Sequence, residues 1–180
     1  ESNGVEKSLA EKIFELLSHF ADYGFNKSHS AAYGLLAWQT AYLKAHYPAE
    51  FLAAMMSSAQ DADKVTAYIE LARRMKIKIL PPDINLSASK FAIDNGAIRF
   101  GLSAIKTVGE VASENVIQER ERNGKFKSLT DFCGRVDLKN FTRRSMENLI
   151  KCGAFDSMNK NRAALLESLE ASRAEGAKKH

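Results

Sequence analysis

Three short stretches of the sequence hold side chains whose types and spacing could do chemistry, and in each the chemistry is the capture of phosphate oxygens. The first is Tyr23-Gly24-Phe25-Asn26-Lys27-Ser28-His29-Ser30, which opens an apolar-rich helical stretch. The first turn of a helix offers unbonded backbone N–H groups and the positive end of its dipole, so it favours anions. Lys27 and His29 would complete a cradle there. The same spacing also fits an ordinary helix start, with Ser28 or Ser30 as the cap and Lys27 in solvent.

The second stretch is Leu102-Ser103-Ala104-Ile105-Lys106-Thr107-Val108-Gly109-Glu110-Val111-Ala112, continuing to Ile117. It has the shape of two helices joined by a tight turn of Gly-x-Gly type. Such a hairpin aims backbone N–H groups at one phosphate, helped by the next helix dipole and a nearby cation. Thr107 stands where the first Gly is usual. A β-branched residue disfavours positive φ, so the expectation is a distorted turn. An αα-hairpin that binds nothing is the alternative. The third stretch joins Arg143-Arg144, Leu149-Ile150-Lys151-Cys152-Gly153-Ala154-Phe155-Asp156 and Asn161-Arg162. It reads as a second, more degenerate hairpin, with Gly153 as helix C-cap and Asp156 in the turn. Arg144, Lys151, Lys160 and Arg162 could line a phosphate track or simply form a solvated face.

Bond-making chemistry has no comparable footing. No GxxxxGK[ST], GxGxxG, HExxH or GxSxG occurs, and the one close acidic pair, Asp61-x-Asp63, heads a helix and reads as a cap. No catalytic residue and no metal ligand is expected. Cys133 and Cys152 are the only thiols and the four His residues lack metal spacing, which excludes zinc-finger and disulfide scaffolds and makes a reducing, cytoplasmic setting the expectation. The longest apolar stretch, Ala31 to Trp38, is too short to span a bilayer, so no membrane contact is expected. The first residue is Glu1, with no leader after it, and a piece of a longer chain is the expectation. Charge is uneven. Residues 1–60 carry −2, residues 61–100 +2 and residues 101–180 +4, against +4 for all 180 residues. A moderately basic C-terminal half fits phosphate contacts.

The elements that must position these residues are mostly helices. Val5–Phe20 puts Leu9, Ile13, Leu16, Leu17 and Phe20 on one face. A second helix is predicted from about Ser30 to Ala45, after an interruption at Asp22–Ser30. A third runs from Ala49 to Ser58 behind Pro48. A fourth is capped by Asp61 or Asp63, with Val65, Tyr68, Ile69, Ala72 and Met75 buried. Ile77–Leu80 is β-like and stops at Pro81-Pro82. Phe91–Phe100 forms a β-hairpin around Asn95-Gly96. Short helices follow at Gly101–Lys106, Glu110–Arg122, Leu129–Val136 (capped by Ser128), Arg143–Lys151 (capped by Thr142) and from Asn159 or Asn161 to about Ala174. The tail Glu175–His180 is expected to fray. The class is mainly α with a small β-hairpin, in two modules that meet near residues 80–100.

The stretch "YGFNKSHSAAYGLLAWQTAYLKAHYPAEFLAA" (23–54) closely resembles the bacterial C-family replicative polymerases, the DNA polymerase III alpha subunits. The resemblance continues in order through "YIELARRMKIKILPPDINLS" (68–87), "IRFGLSAIKTVGE" (98–110), "GKFKSLTDFCGRVD" (124–137) and "RRSMENLIKCGAFD" (143–156) to Asn161-Arg162. It implies that residues 1–85 are the C-terminal part of the polymerase fingers, 86–100 a β-hairpin connection and 101–180 a tandem helix-hairpin-helix DNA-binding module. The parent activity it implies is template-directed DNA synthesis from dNTPs with Mg²⁺, a nucleotidyltransfer whose catalytic aspartates lie in a palm outside this fragment. The fragment alone is expected to be inactive and to bind no cofactor. The resemblance assigns Lys27 to phosphate charge, His29 to a phosphate hydrogen bond or the leaving pyrophosphate, and Asn26 to turn geometry. Lys106, Thr107, Gly109, Arg143, Arg144, Lys151, Gly153 and Arg162 become the duplex contacts, although Thr107, Cys152 and Asn159 depart from the family pattern. Implied partners are primer–template DNA, the incoming dNTP, the rest of the polymerase chain, the sliding clamp and other replisome subunits. Two other readings fit the residues: a stand-alone DNA-binding module, and a replisome scaffold without DNA contact.

Overall fold

A computed structural model describes residues 4–22 and 26–178, which are mainly helical with one three-stranded sheet. Tyr23-Gly24-Phe25 and His180, which the sequence reading included, lie outside the described residues. The chain divides into two compact units, Glu1–His46 and Tyr47–His180. Positions 85 and 100 both fall inside the second.

The first unit holds α1 (Lys7–Asp22) and α2 (Lys27–His46). The apolar stripe of α1 has the expected period, yet Leu9, Ile13, Leu16, Leu17 and Phe20 are all exposed. No residue of α2 is buried, and Trp38 is 62% exposed. These two helices therefore contribute no hydrophobic core of their own. α2 starts three residues earlier than predicted because Asn26, not a serine, caps it. The Asn26 Oδ1 accepts the backbone N–H of Ser28 at 3.1 Å, and its carbonyl accepts that of Ser30.

The second unit begins with α3 (Pro48–Ser58) and α4 (Ala62–Arg74), which pack on the sheet. Asp61 caps α4 through the N–H of Asp63 at 3.0 Å. Val65, Tyr68, Ile69, Ala72 and Met75 join the cluster built on Leu52, Met56, Phe91 and Ile98, as their spacing requires. The sheet contains β1 (Ile79–Leu80), β2 (Ala92–Asp94) and β3 (Ala97–Arg99) in the order β1-β3-β2. Asn95 and Gly96 turn the β2–β3 hairpin with φ of 50° and 79°, the left-handed pair such a two-residue loop needs. β1 pairs parallel with β3, Ile79 opposite Ile98.

The remaining helices are α5 (Glu110–Asn123), α6 (Leu129–Cys133), α7 (Arg143–Lys151), α8 (Arg162–Glu167) and α9 (Leu169–Ala177). They enclose a core centred on Phe132, whose ring meets Phe126, Phe155 and Phe141 edge-on at 5.0, 5.3 and 5.5 Å. Ile84 and the 81–90 connector are tied into that core. The Asn85 side chain bonds both the N–H and the carbonyl of Phe126, and Arg120 donates to the Ile84 carbonyl.

Three predicted elements are corrected. The helix Gly101–Lys106 is only a 3₁₀ turn, Leu102–Ala104. Gly101 lies against the backbone of Ser89 and Lys90, where a Cβ would come within 2.4 Å. Leu102 and Ser103 still donate to Ala88 and Ser89, so few N–H groups remain for a helix. α6 ends at Cys133 rather than Val136, because Gly134 closes the helix on Thr130 while Arg135 turns its side chain to the Glu119 carboxylate and the Gly124 carbonyl. The last helix is interrupted at Ser168, whose hydroxyl bonds back to Leu165, and it continues to Ala177. Gly176 is buried there against the Cys133 carbonyl instead of fraying.

Candidate functional site

The first hairpin is the Leu102–Ala104 turn, residues 105–109 and α5. Its hydrogen bonds are local: Ile105 N–H to Leu102 and Val108 N–H to Ile105. Ile105 and Val108 point into the core, which pushes Lys106, Thr107 and Gly109 outward. Thr107 adopts φ of 69° and so takes the left-handed conformation its Gly counterpart would have taken. Gly109 is the N-cap of α5 with φ of −82°, and a Cβ built on it meets nothing within 4 Å. The backbone N–H groups of Lys106, Thr107 and Gly109 form no hydrogen bond among the described residues. The Lys106 ammonium has no partner there either.

One residue that the sequence reading passed over supports this turn. Asn148, in α7, donates its side-chain amide to the Lys106 carbonyl at 2.8 Å and to the Thr107 hydroxyl at 3.0 Å. Arg144 lies one helical turn before Asn148 on the same side of α7. It is exposed and without a partner among the described residues. Helical spacing thus sets Arg144 beside the turn carrying Lys106. No local signal marks Asn148, a polar residue in mid-helix; a search for polar side chains one turn from a candidate cation would have found it.

The second hairpin comprises α7, residues 152–161 and α8. Thr142 caps α7 through the N–H of Ser145 at 3.1 Å, and Asn161 caps α8 through that of Ala164 at 3.0 Å. Gly153 is buried with φ of 87°, and a Cβ there would collide with the Arg162 guanidinium and the Asp156 carboxylate. Arg162 donates to both Asp156 carboxylate oxygens and, at 2.9 Å, to the Lys151 carbonyl. This charge-assisted fork holds the Asp156 carboxyl below its ordinary range. Arg143 and Lys151 share Glu147, at 3.0 and 3.4 Å, and Arg143 also reaches Glu170. The Glu147 carboxyl is correspondingly low, through its hydrogen bonds to Arg143 and Lys151. Of the predicted contacts, Lys106, Thr107 and Gly109 are exposed together in the first turn, and Arg144 is exposed one helical turn before Asn148. Gly153 is buried, and Arg143, Lys151 and Arg162 are held in pairs.

Asn26, Lys27 and His29 stand together at the start of α2, Asn26 as the cap and the other two exposed in the first turn. The His29 ring lies 4.2 Å from that of Tyr33. Cys133 is buried and its thiol is pushed up to about 11, so it is no nucleophile. Among the described residues no group of three or more His, Cys, Asp or Glu could hold a metal ion, and no helix is long and apolar enough to cross a membrane.

The family model described as "Helix-hairpin-helix motif" matches residues 76–165, half of the chain. The chain belongs to the helix-hairpin-helix motif family. That match takes in the sheet, the first hairpin and the second as far as residue 165 in α8. Over 94% of its length the chain is also similar to proteins named DNA polymerase III subunit alpha. It is 50% identical to that of Deinococcus radiodurans over 171 residues, 49% to that of Vibrio cholerae over 172 and 51% to that of Escherichia coli over 171. The chain spans only 13–15% of the length of these relatives. The resemblance read from the sequence is thus to one segment of a much longer protein.

Proposed function

We propose that this chain is the segment of a DNA-directed DNA polymerase that grips duplex primer–template by its phosphate backbone. The observation that carries this reading is the first hairpin. It has an exposed turn whose N–H groups at Lys106, Thr107 and Gly109 have no partner among the described residues, nor does the Lys106 ammonium; Arg144, also unpartnered among them, stands one helical turn from the Asn148 that holds this turn. A turn of that kind satisfies phosphate oxygens without reading bases. On this reading the segment positions DNA while nucleotidyl transfer with Mg²⁺ takes place at carboxylates elsewhere in the longer polymerase. Lys27 and His29, in the capped first turn of α2, would meet the triphosphate of the incoming dNTP, with the role of positioning and charge. The fingers portion, 1–85, comprises the first unit together with α3 and α4; residues 86–100 connect it to the hairpin module, 101–180. Sliding clamp and replisome contacts, and work in the cytoplasm, belong to the longer chain.

The test is equilibrium binding of the 180-residue chain to labelled duplexes of unrelated sequence across a salt series. The expected binding is indifferent to sequence and weakens with salt. Lys106→Ala and Arg144→Ala should each lower affinity on all duplexes alike and reduce the magnitude of the salt slope by about 1. Absence of binding at low salt, or unchanged slopes in both variants, would overturn the reading.

A further inference from the structure

We propose that Asn148 is the positioning residue that presets the first hairpin's turn for a phosphate, replacing the glycine which that turn lacks; the proposal rests on the DNA-contact reading above. Thr107 sits at φ of 69°. A β-branched side chain is a genuine outlier there, and such a conformation persists only where the surroundings over-determine it. The turn's own Val108 N–H to Ile105 bond closes a four-residue turn with Lys106 and Thr107 at its centre, and positive φ falls on the second of them, the place where a turn of this kind prefers glycine.

Asn148 holds Thr107 there. Both N–H bonds of its amide nitrogen are engaged, one with the Lys106 carbonyl at 2.8 Å and one with the Thr107 Oγ1 at 3.0 Å. Those two acceptors are joined through the Thr107 N–Cα and Cα–Cβ bonds. Fastening them to a single nitrogen therefore sets the φ and the χ1 of Thr107 together. With the Lys106 carbonyl held inward toward α7, the trans peptide it shares with Thr107 is fixed, so the Thr107 N–H points the opposite way, outward. A glycine would reach the same conformation unaided but would also leave it freely. Threonine with Asn148 gives a turn already in its binding form, which lowers the ordering cost when the ligand arrives. Asn148 also carries register: it sits in α7 one turn from Arg144, so one side chain couples the first hairpin's N–H groups to the cation supplied by the second.

The experiment is a double-mutant cycle on the full chain, with duplex DNA affinity and amide hydrogen exchange at Val108 as readouts. Asn148→Ala should weaken binding about fivefold and speed exchange at Val108, with the melting temperature little changed. Thr107→Gly supplies the second corner of the cycle, and its own affinity is the reference for the double variant. In the Thr107→Gly background the Asn148→Ala loss should shrink below about twofold, because no strained residue remains to be held. An Asn148→Ala chain that binds and exchanges like wild type overturns the proposal. So does an undiminished fivefold loss in the Thr107→Gly background, which would make Asn148 a direct DNA contact or a general support of the fold. Failure of the wild-type chain to bind duplex is a different result: it overturns the DNA reading itself, and the proposal with it.

Discussion

The two hairpins begin from similar sequence material, helix–turn–helix with glycine and cations nearby, and the structure spends that material in opposite ways. In the first, the turn faces solvent, Gly109 has open space above it and Lys106 has no partner among the described residues. In the second, Gly153 is roofed by the Arg162 guanidinium, the Ala154 carbonyl accepts from Ile84, and Phe155 packs against Phe132 in the core. Arg162 gives its donors to Asp156 and Lys151, within its own hairpin. The second hairpin thus uses these donors within itself, and on the proposed reading its helix α7 lends the first hairpin a cation, Arg144, and a clamp, Asn148. A count of basic residues cannot distinguish a guanidinium that holds a turn shut from one that waits for a ligand; the partners of each donor can.

Alanine at the two glycines is the sharpest way to break this comparison. Gly153→Ala forces a Cβ into a residue at φ of 87° and into the Arg162–Asp156 fork, so both backbone and fork must shift. The expected cost is about 2–3 kcal/mol, a fall in melting temperature of roughly 5–10 °C by calorimetry. Duplex affinity of the folded fraction should be nearly unchanged. Gly109→Ala should do the reverse. Its φ of −82° suits any residue and its Cβ meets nothing, so the stability cost is only the poorer cap, about 0.5–1 kcal/mol. Its methyl group enters the space a phosphate would occupy, and affinity should fall about three- to tenfold. Equal effects of the two substitutions on affinity would erase the distinction between the hairpins.

Much of this architecture is legible residue by residue, and what is not has a common cause. Thr142 and Lys151 bound α7 as their types require, since a threonine cap and a glycine beyond the C-terminus are local signals. Asn95-Gly96 marks the hairpin for the same reason. The parallel pairing of β1 with β3 leaves no trace near Ile79, because it depends on where the 81–91 connector leads the chain. Gly101 looks like the start of a helix until the backbone of Ser89 and Lys90 is placed against it. The candidate site follows the same division. Lys106, Gly109 and Arg144 can be named from type and spacing, and Thr107 stands out as the odd residue. The remedy for Thr107 lies 41 positions away in Asn148, and the internal use of Arg162 depends on Asp156 facing it across a turn. Capping and turn chemistry are encoded within a few residues; who satisfies a distant donor is decided by tertiary packing.

The smallest expected effect concerns the fork itself and sharpens the comparison through pH. Arg162, by hydrogen bonding, and the charges of Arg162 and Lys160 hold the Asp156 carboxyl below its ordinary 3.8. A carboxylate depressed in the folded state adds stability that is fully present above its unfolded-state value and is lost as pH falls through the folded one. Asp156→Asn keeps the shape and removes the charge. The wild-type chain should therefore melt higher than this variant at pH 6, and the gap should narrow below about pH 4 and close once Asp156 protonates in the folded protein. Asp156 and Arg162 are partly exposed, so salt should shrink the gap at pH 6 as well. Duplex affinity at pH 6 should be the same for both chains, because the fork faces its own hairpin. A constant melting gap from pH 6 to pH 3 would mean that the Asp156 charge does not hold the turn. A loss of affinity in Asp156→Asn, with melting unchanged, would return Arg162 to the DNA surface and make the two hairpins equivalent after all.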